Sequence, residues 1–137
     1  MSNITFLSEI NWFAVISTIV LSFILGALWH SVLFKKGWTE DSKTIYSSGN
    51  HGNPAIIFGL SAVLHVIAII GLAVFIGSNS TACEGLTKGF IVSTVWIATS
   101  MGVTYIFVGR TLRLFLIDAG FYVVFLSLAG LILGAWH

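Results

Sequence analysis

The side chains in this 137-residue chain that could do chemistry are few: His30, Tyr105, Arg110, Arg113, Asp118 and Tyr122. An imidazole, a carboxylate, two guanidinium groups and two phenols suffice for proton transfer or for holding a polar or anionic ligand. Their placement marks them more than their number. Asp118 is the lone acid within four long apolar stretches. It stands about five residues past Arg113, roughly 7–8 Å deeper along a helix rising 1.5 Å per residue. A carboxylate at that depth in a bilayer costs several kcal/mol unless it is paired, hydrated or protonated. Arg110 or Arg113 is the natural partner, and the alternative to a chemical role is a salt bridge that fixes a helical hairpin. His30 and Tyr105 fall at a similar depth on other stretches, and Tyr122 lies one turn deeper. Together these residues are expected to form a polar pocket opening inward.

The elements that must position them are the four stretches, approximately 10–34, 54–77, 85–108 and 112–136. About 18 apolar residues make a helix that crosses a ~30 Å hydrocarbon core. Charged residues make up 8% of the chain, hydrophobic residues 57%, and the mean hydropathy is +1.01. Soluble domains carry roughly 25% charged residues, so the composition excludes one. The expected fold is all-α: a four-transmembrane-helix bundle of antiparallel hairpins, one integral membrane domain over 1–137. A net charge of +1 offers no basic surface for nucleic acid. Residues 1–9 lack the basic start of a signal peptide, so the first span is expected to stay in the mature protein.

Charge sets the expected orientation. Lys35, Lys36 and Lys43 lie between the first two spans and Arg110 and Arg113 between the last two, against Lys88 alone on the other side. Cytoplasmic loops are the ones enriched in Lys and Arg, so both termini are expected outside, in a bacterial inner membrane. Trp12, Trp38, Trp136 and Tyr46 stand where an interfacial aromatic belt would place them. Asn53-Pro54 reads as a helix start. With Pro54 as the sole proline, no span should carry a proline kink or a transporter-like broken helix. The segment Phe34–Asn53 reads as a solvated connector.

Packing faces follow from small residues at helical spacing. The first span carries Asn11, Thr18, Ser22, Gly26 and Trp29 on one side, and the second Ser61, His65 and Ala68. The third carries Gly89, Ser93, Trp96, Ser100 and Thr104, and the fourth Gly120, Ser127, Gly130 and Gly134. Gly130 and Gly134 form a GxxxG pair that serves either packing within the chain or a subunit contact. Asp118, Tyr122, Ala129 and Trp136 make a second stripe on the fourth span, which should therefore be central or lie at a homo-oligomer interface. His65, near the midplane, needs a hydrogen-bond partner such as Ser61. No HxxxH or HExxH pattern accompanies it, so no metal is expected. Cys83 is the sole cysteine, which excludes an internal disulfide. No phosphate loop, nucleophile elbow or haem-attachment motif is present, and no cofactor is expected. His51 and His137 are too isolated to read.

Several short motifs carry a resemblance. Ile10-Asn11-Trp12 opens the first span, Gly26-Ala27-Leu28-Trp29 closes it, and Gly37-Trp38 follows. Arg113–Tyr122 opens the fourth span and Gly130–Trp136 closes it. The chain resembles the bacterial and fungal membrane proteins gathered as "domain of unknown function 1761". The resemblance implies a small four-span membrane protein and no activity. The chain departs from the family pattern at His30, where Tyr is usual, at Lys35, where Gly is usual, and at Asp118, where Asn is frequent. Three functions are compatible with these readings. The first is a structural or accessory protein that self-associates in the lipid bilayer. The second is an oligomeric transporter or channel with an inward-facing cavity, its small-molecule ligand unknown. The third is a membrane enzyme acting on a lipophilic small molecule.

Overall fold

The computed structural model describes residues 7–46 and 53–136, with the backbone alone for 43–46. Among them every regular element is helical. Helix α1 covers Trp12–Leu33, α2 Lys35–Tyr46, α3 Pro54–Ile76, α4 Ala82–Val108 and α5 Leu112–Ala135. All but α2 are long and apolar enough to cross a membrane.

The helix starts are written in the sequence. The side chains of Asn11, Asn53 and Thr111 each accept a hydrogen bond from a free first-turn N–H of α1, α3 and α5. Thr81 and Glu84 form a reciprocal capping box at α4. That box starts α4 a turn earlier than its apolar run. Gly109 ends α4 with a left-handed backbone, φ 75°, which glycine adopts without strain. Arg110 N–H then donates to the Tyr105 carbonyl at 2.9 Å, and α5 begins two residues later.

α5 is the hub. Ten of its residues are buried, against four on α1 and three each on α3 and α4. Phe121, Phe125, Leu126, Ala129 and Leu133 pack with Ala14 and Val15 of α1 and Ile69, Leu72 and Ile76 of α3. Thr18 and Ser22, buried on α1, return their hydroxyl protons to their own helix backbone. Much of the remaining apolar surface, such as Phe13, Ile106 and Phe107, faces outward, as lipid contact requires.

α4 meets α5 backbone to backbone. Gly85 and Gly89 face Gly130 and Gly134, and a Cβ on Gly85 or Gly130 would strike the other's carbonyl. A Cβ on Gly89 would strike the Leu126 carbonyl, and one on Gly134 the Thr81 carbonyl. The GxxxG pair therefore packs within the chain, against a second GxxxG on α4. Past this crossing α4 leaves its partner. Gly85, Gly89 and Ser93 are buried, whereas Trp96, Ser100 and Thr104, expected on the same packing face, are exposed.

One finding departs from the sequence reading and a second was not anticipated by it. Residues 35–46 form α2 rather than a solvated connector. In addition, α1 and α4 contain π-helical turns without proline, at Trp29–Leu33 and Val92–Ala98. In α4 the hydroxyls of Ser93, Thr94 and Thr99 bond to the carbonyls of Phe90, Ile91, Val95 and Trp96. Such back-bonding competes with the backbone ladder and loosens a helix.

Gly85→Val or Gly130→Leu should unfold the α4–α5 hairpin, costing more than the ~1–3 kcal/mol of ordinary overpacking because backbone must yield. Gly71→Ala meets nothing within 4 Å and should be neutral. Thermal unfolding in detergent, followed by circular dichroism, compares them.

Candidate functional site

Asp118 lies in the second turn of α5, and its carboxyl has two partners. One oxygen is 3.2 Å from His30 Nε2 on α1. The other accepts the Tyr105 hydroxyl from α4. A single acid thus ties together the three spans on this side of the bundle. Neither arginine is bonded to it, which corrects the expected pairing. Arg113 turns toward α2, donating from Nε and Nη2 to Asp41 at 2.8 and 2.7 Å and from Nη2 to Glu40 at 3.0 Å. Thr111 Oγ1 also donates to Asp41, at 2.8 Å. The Arg113 guanidinium, then the Thr111 hydroxyl, hold the Asp41 carboxyl at about 2. Arg110 makes no ion pair among the described residues.

The hydrogen bonds restrict where the protons sit when Tyr105 donates to the carboxyl. His30 Nδ1 is 3.0 Å from the Gly26 carbonyl. A carbonyl only accepts, so Nδ1 carries hydrogen. Nε2 then either donates to an ionised Asp118 or accepts from a protonated one. Both arrangements leave the pair holding one proton between them and no net charge. A neutral pair avoids most of the cost of an isolated ion in an apolar helix, while the proton stays transferable.

The elements aim these groups. The π turn Trp29–Leu33 closes with Phe34 N–H on the Trp29 carbonyl at 2.9 Å. Within it the Trp29 indole N–H donates to the Ile117 carbonyl at 2.8 Å. The same ring lies over Gly120, where a Cβ would come within 3.2 Å of Cζ2. Gly26 lies beside the Phe121 ring, where a Cβ would make an ordinary contact at 3.7 Å. Trp29 thereby fixes α1 against α5 one residue before His30. Phe121 and Trp38 of α2 contact the His30 ring, at 5.5 and 5.4 Å between centroids. Trp38 is thus a cap over His30, a placement missed by the sequence reading. Gly37 packs against Ile117 and Arg113 beside it.

His30, Met101, Tyr105, Asp118, Phe121 and Tyr122 line a half-open cleft of about 210 Å³. α5 forms its floor, and α1 and α4 form its walls. These walls share no extended packing, since the glycine crossing holds α4 to α5 only at the far end. Of the expected cluster, His30, Tyr105, Asp118 and Tyr122 come together; Arg110 and Arg113 do not line the cleft. Phe121 and Met101 belong to it and were missed, because nothing distinguishes them from lipid-facing apolar residues in sequence.

His65 is elsewhere, between Phe23 and Phe125. Its Nδ1–H donates to the Ser61 backbone carbonyl at 2.7 Å, not to a hydroxyl. Its Nε2 is buried and has no hydrogen-bond partner among the described residues. Ser127 returns its hydroxyl proton to the Val123 carbonyl. His51 and His137 lie outside the described residues, as does the Tyr46 side chain.

Removing one member of the His30–Asp118 pair strands the other, at about 1–3 kcal/mol. Asp118→Ala and His30→Ala should each destabilise by that much, and the double variant by clearly less than their sum. Unfolding in bicelles measures the cycle.

Neither a curated protein nor a solved structure matches the chain. The family described as "Protein of unknown function (DUF1761)" matches residues 13–134, from the second residue of α1 to the penultimate residue of α5. The match spans all four apolar helices and the whole cleft. The chain belongs to this family.

Proposed function

We propose that this multi-pass membrane protein binds a small amphipathic molecule, whose polar head enters the cleft to meet the His30–Asp118 pair. The observation that carries this reading is that the bundle's polar cluster is neither packed shut nor lined by fixed charge. It is a half-open cleft with an imidazole–carboxyl pair and a phenol bonded to it. Its volume of about 210 Å³ falls below the ~300–1,000 Å³ of pockets that enclose a whole drug-sized ligand. A head group fits there, with the apolar remainder lying in the gap between α1 and α4. Phe121 and Tyr122 offer ring surface, and His30 and Tyr105 offer exchangeable protons. Binding is the step that the transport and enzyme readings share, and it is the step this geometry supports. Following the charge bias of the loops, we place both termini outside and the cleft toward the inner face of a bacterial inner membrane.

A second reading, self-association as an accessory protein, draws on the outward face of α4. Ser100 and Thr104 are exposed there one turn apart, and small polar residues favour helix contacts in lipid. With Cys83→Ser, a cysteine at Ser100 should form a cross-linked dimer in native membranes. Recovery of monomer alone would remove this reading.

For the cleft, Met101→Cys in the same background gives a neutral reporter. An uncharged membrane-permeant maleimide should label it in sealed vesicles, while a charged thiol reagent added to either side should not. Failure of both reagents would mean a closed cleft. Labelling by the charged reagent would mean aqueous entry rather than entry from the bilayer.

A further inference from the structure

Beside the cleft, where α1 gives way to α2 and α5 begins, lies a groove of about 650 Å³. Leu33, Phe34, Leu112, Leu116 and Ile117 supply its apolar wall, and Lys36 stands at its edge. Leu33, Leu112 and Leu116 are each well over half exposed. A second groove, of about 480 Å³, continues from it through Leu33 and Lys36 to Lys35, Thr39 and Glu40, whose carboxylate is engaged by Arg113. The charges here are unequally engaged. Arg113 is taken by Asp41 and Glu40, whereas Lys35 and Lys36 make no ion pair among the described residues. The groove therefore presents free cationic charge directly beside apolar wall, at the end of two membrane-length helices.

We propose that this groove seats one anionic phospholipid, its phosphate on Lys36 and Lys35 and an acyl chain along Leu33, Leu112 and Leu116. Charge complementarity selects the head group and the leucine wall selects the chain; a soluble anion satisfies only the first. α2 frames the site because the Asp41–Arg113 pairing pins it to α5 and leaves the lysine side open. A basic residue near a membrane surface favours an anionic lipid by about fivefold, so two lysines should give at least an order of magnitude.

The test is native mass spectrometry of the full chain released from nanodiscs containing equal phosphatidylglycerol and phosphatidylcholine. One phosphatidylglycerol should be retained, preferred about tenfold or more, and millimolar inorganic phosphate should not displace it. The Lys35→Gln/Lys36→Gln variant should lose the preference. Leu112→Trp, which fills the groove without changing charge, should lose the lipid. Equal retention of both lipids by the unaltered chain would overturn the proposal whether or not the variants fold. So would undiminished retention by either variant, displacement by phosphate, or a second copy of the chain occupying the face in place of lipid.

Discussion

A carboxyl group six residues into an apolar helix has to be neutralised, and much of the arrangement around α5 follows from how this chain does it. Asp118 finds an imidazole on α1 and a phenol on α4, so its neutralisation fixes three helices at once. Exchange with an arginine from the helix end would have tied down one hairpin and left His30 and Tyr105 without roles. The His30–Asp118 pair instead carries no net charge in either proton arrangement, because the Gly26 carbonyl demands hydrogen on Nδ1.

The cleft itself is a consequence of packing at the other end of the bundle. Four glycines bring α4 and α5 into backbone contact, a distance that no pair of larger residues allows. Helices in lipid cross at an angle and separate on either side of such a contact. α4 also passes through a π-helical stretch at Val92–Ala98, and beyond it Ser100 and Thr104 are exposed. The space opened beside α5 is where Met101 and Tyr105 stand. π-helical turns occur often at functional sites; here one of them holds His30 and the other precedes Met101 and Tyr105 on α4. Close contact at one end and separation at the other therefore belong to one design, in which α5 holds the bundle and its neighbours shape the opening.

The spans were legible because length and composition suffice to identify a membrane-crossing helix, and Asn53-Pro54 marks one start; the Thr81–Glu84 box that begins α4 before Gly85 was not read. The meeting of His30, Tyr105, Asp118 and Tyr122 was legible from depth, since residues at one level on adjacent helices have few places to go. The destination of Arg113 was not. Its partners lie on α2, whose mixture of Lys, Glu, Ser and Gly fits a solvated loop as well as a docked helix. Glu40 and Asp41 reveal their role only once α2 is folded against α5. Gly85 was missed although it makes a GxxxG with Gly89, because it stood at the assumed start of the third span, and its role comes from the Gly130 backbone opposite. Depth brought His30 and Asp118 to one level, but their direct bond, between positions 88 residues apart, was not disclosed, since the arginines nearer in sequence were the expected partners.

The central claim is that His30 and Asp118 share a single proton inside the bundle. Nitrogen-15 magnetic resonance of histidine-labelled protein in lipid reads this directly. The account predicts a His30 Nδ1 signal of the protonated type and an Nε2 signal that moves when Asp118 is replaced by Asn. An unprotonated Nδ1, or an Nε2 signal indifferent to that replacement, would contradict it.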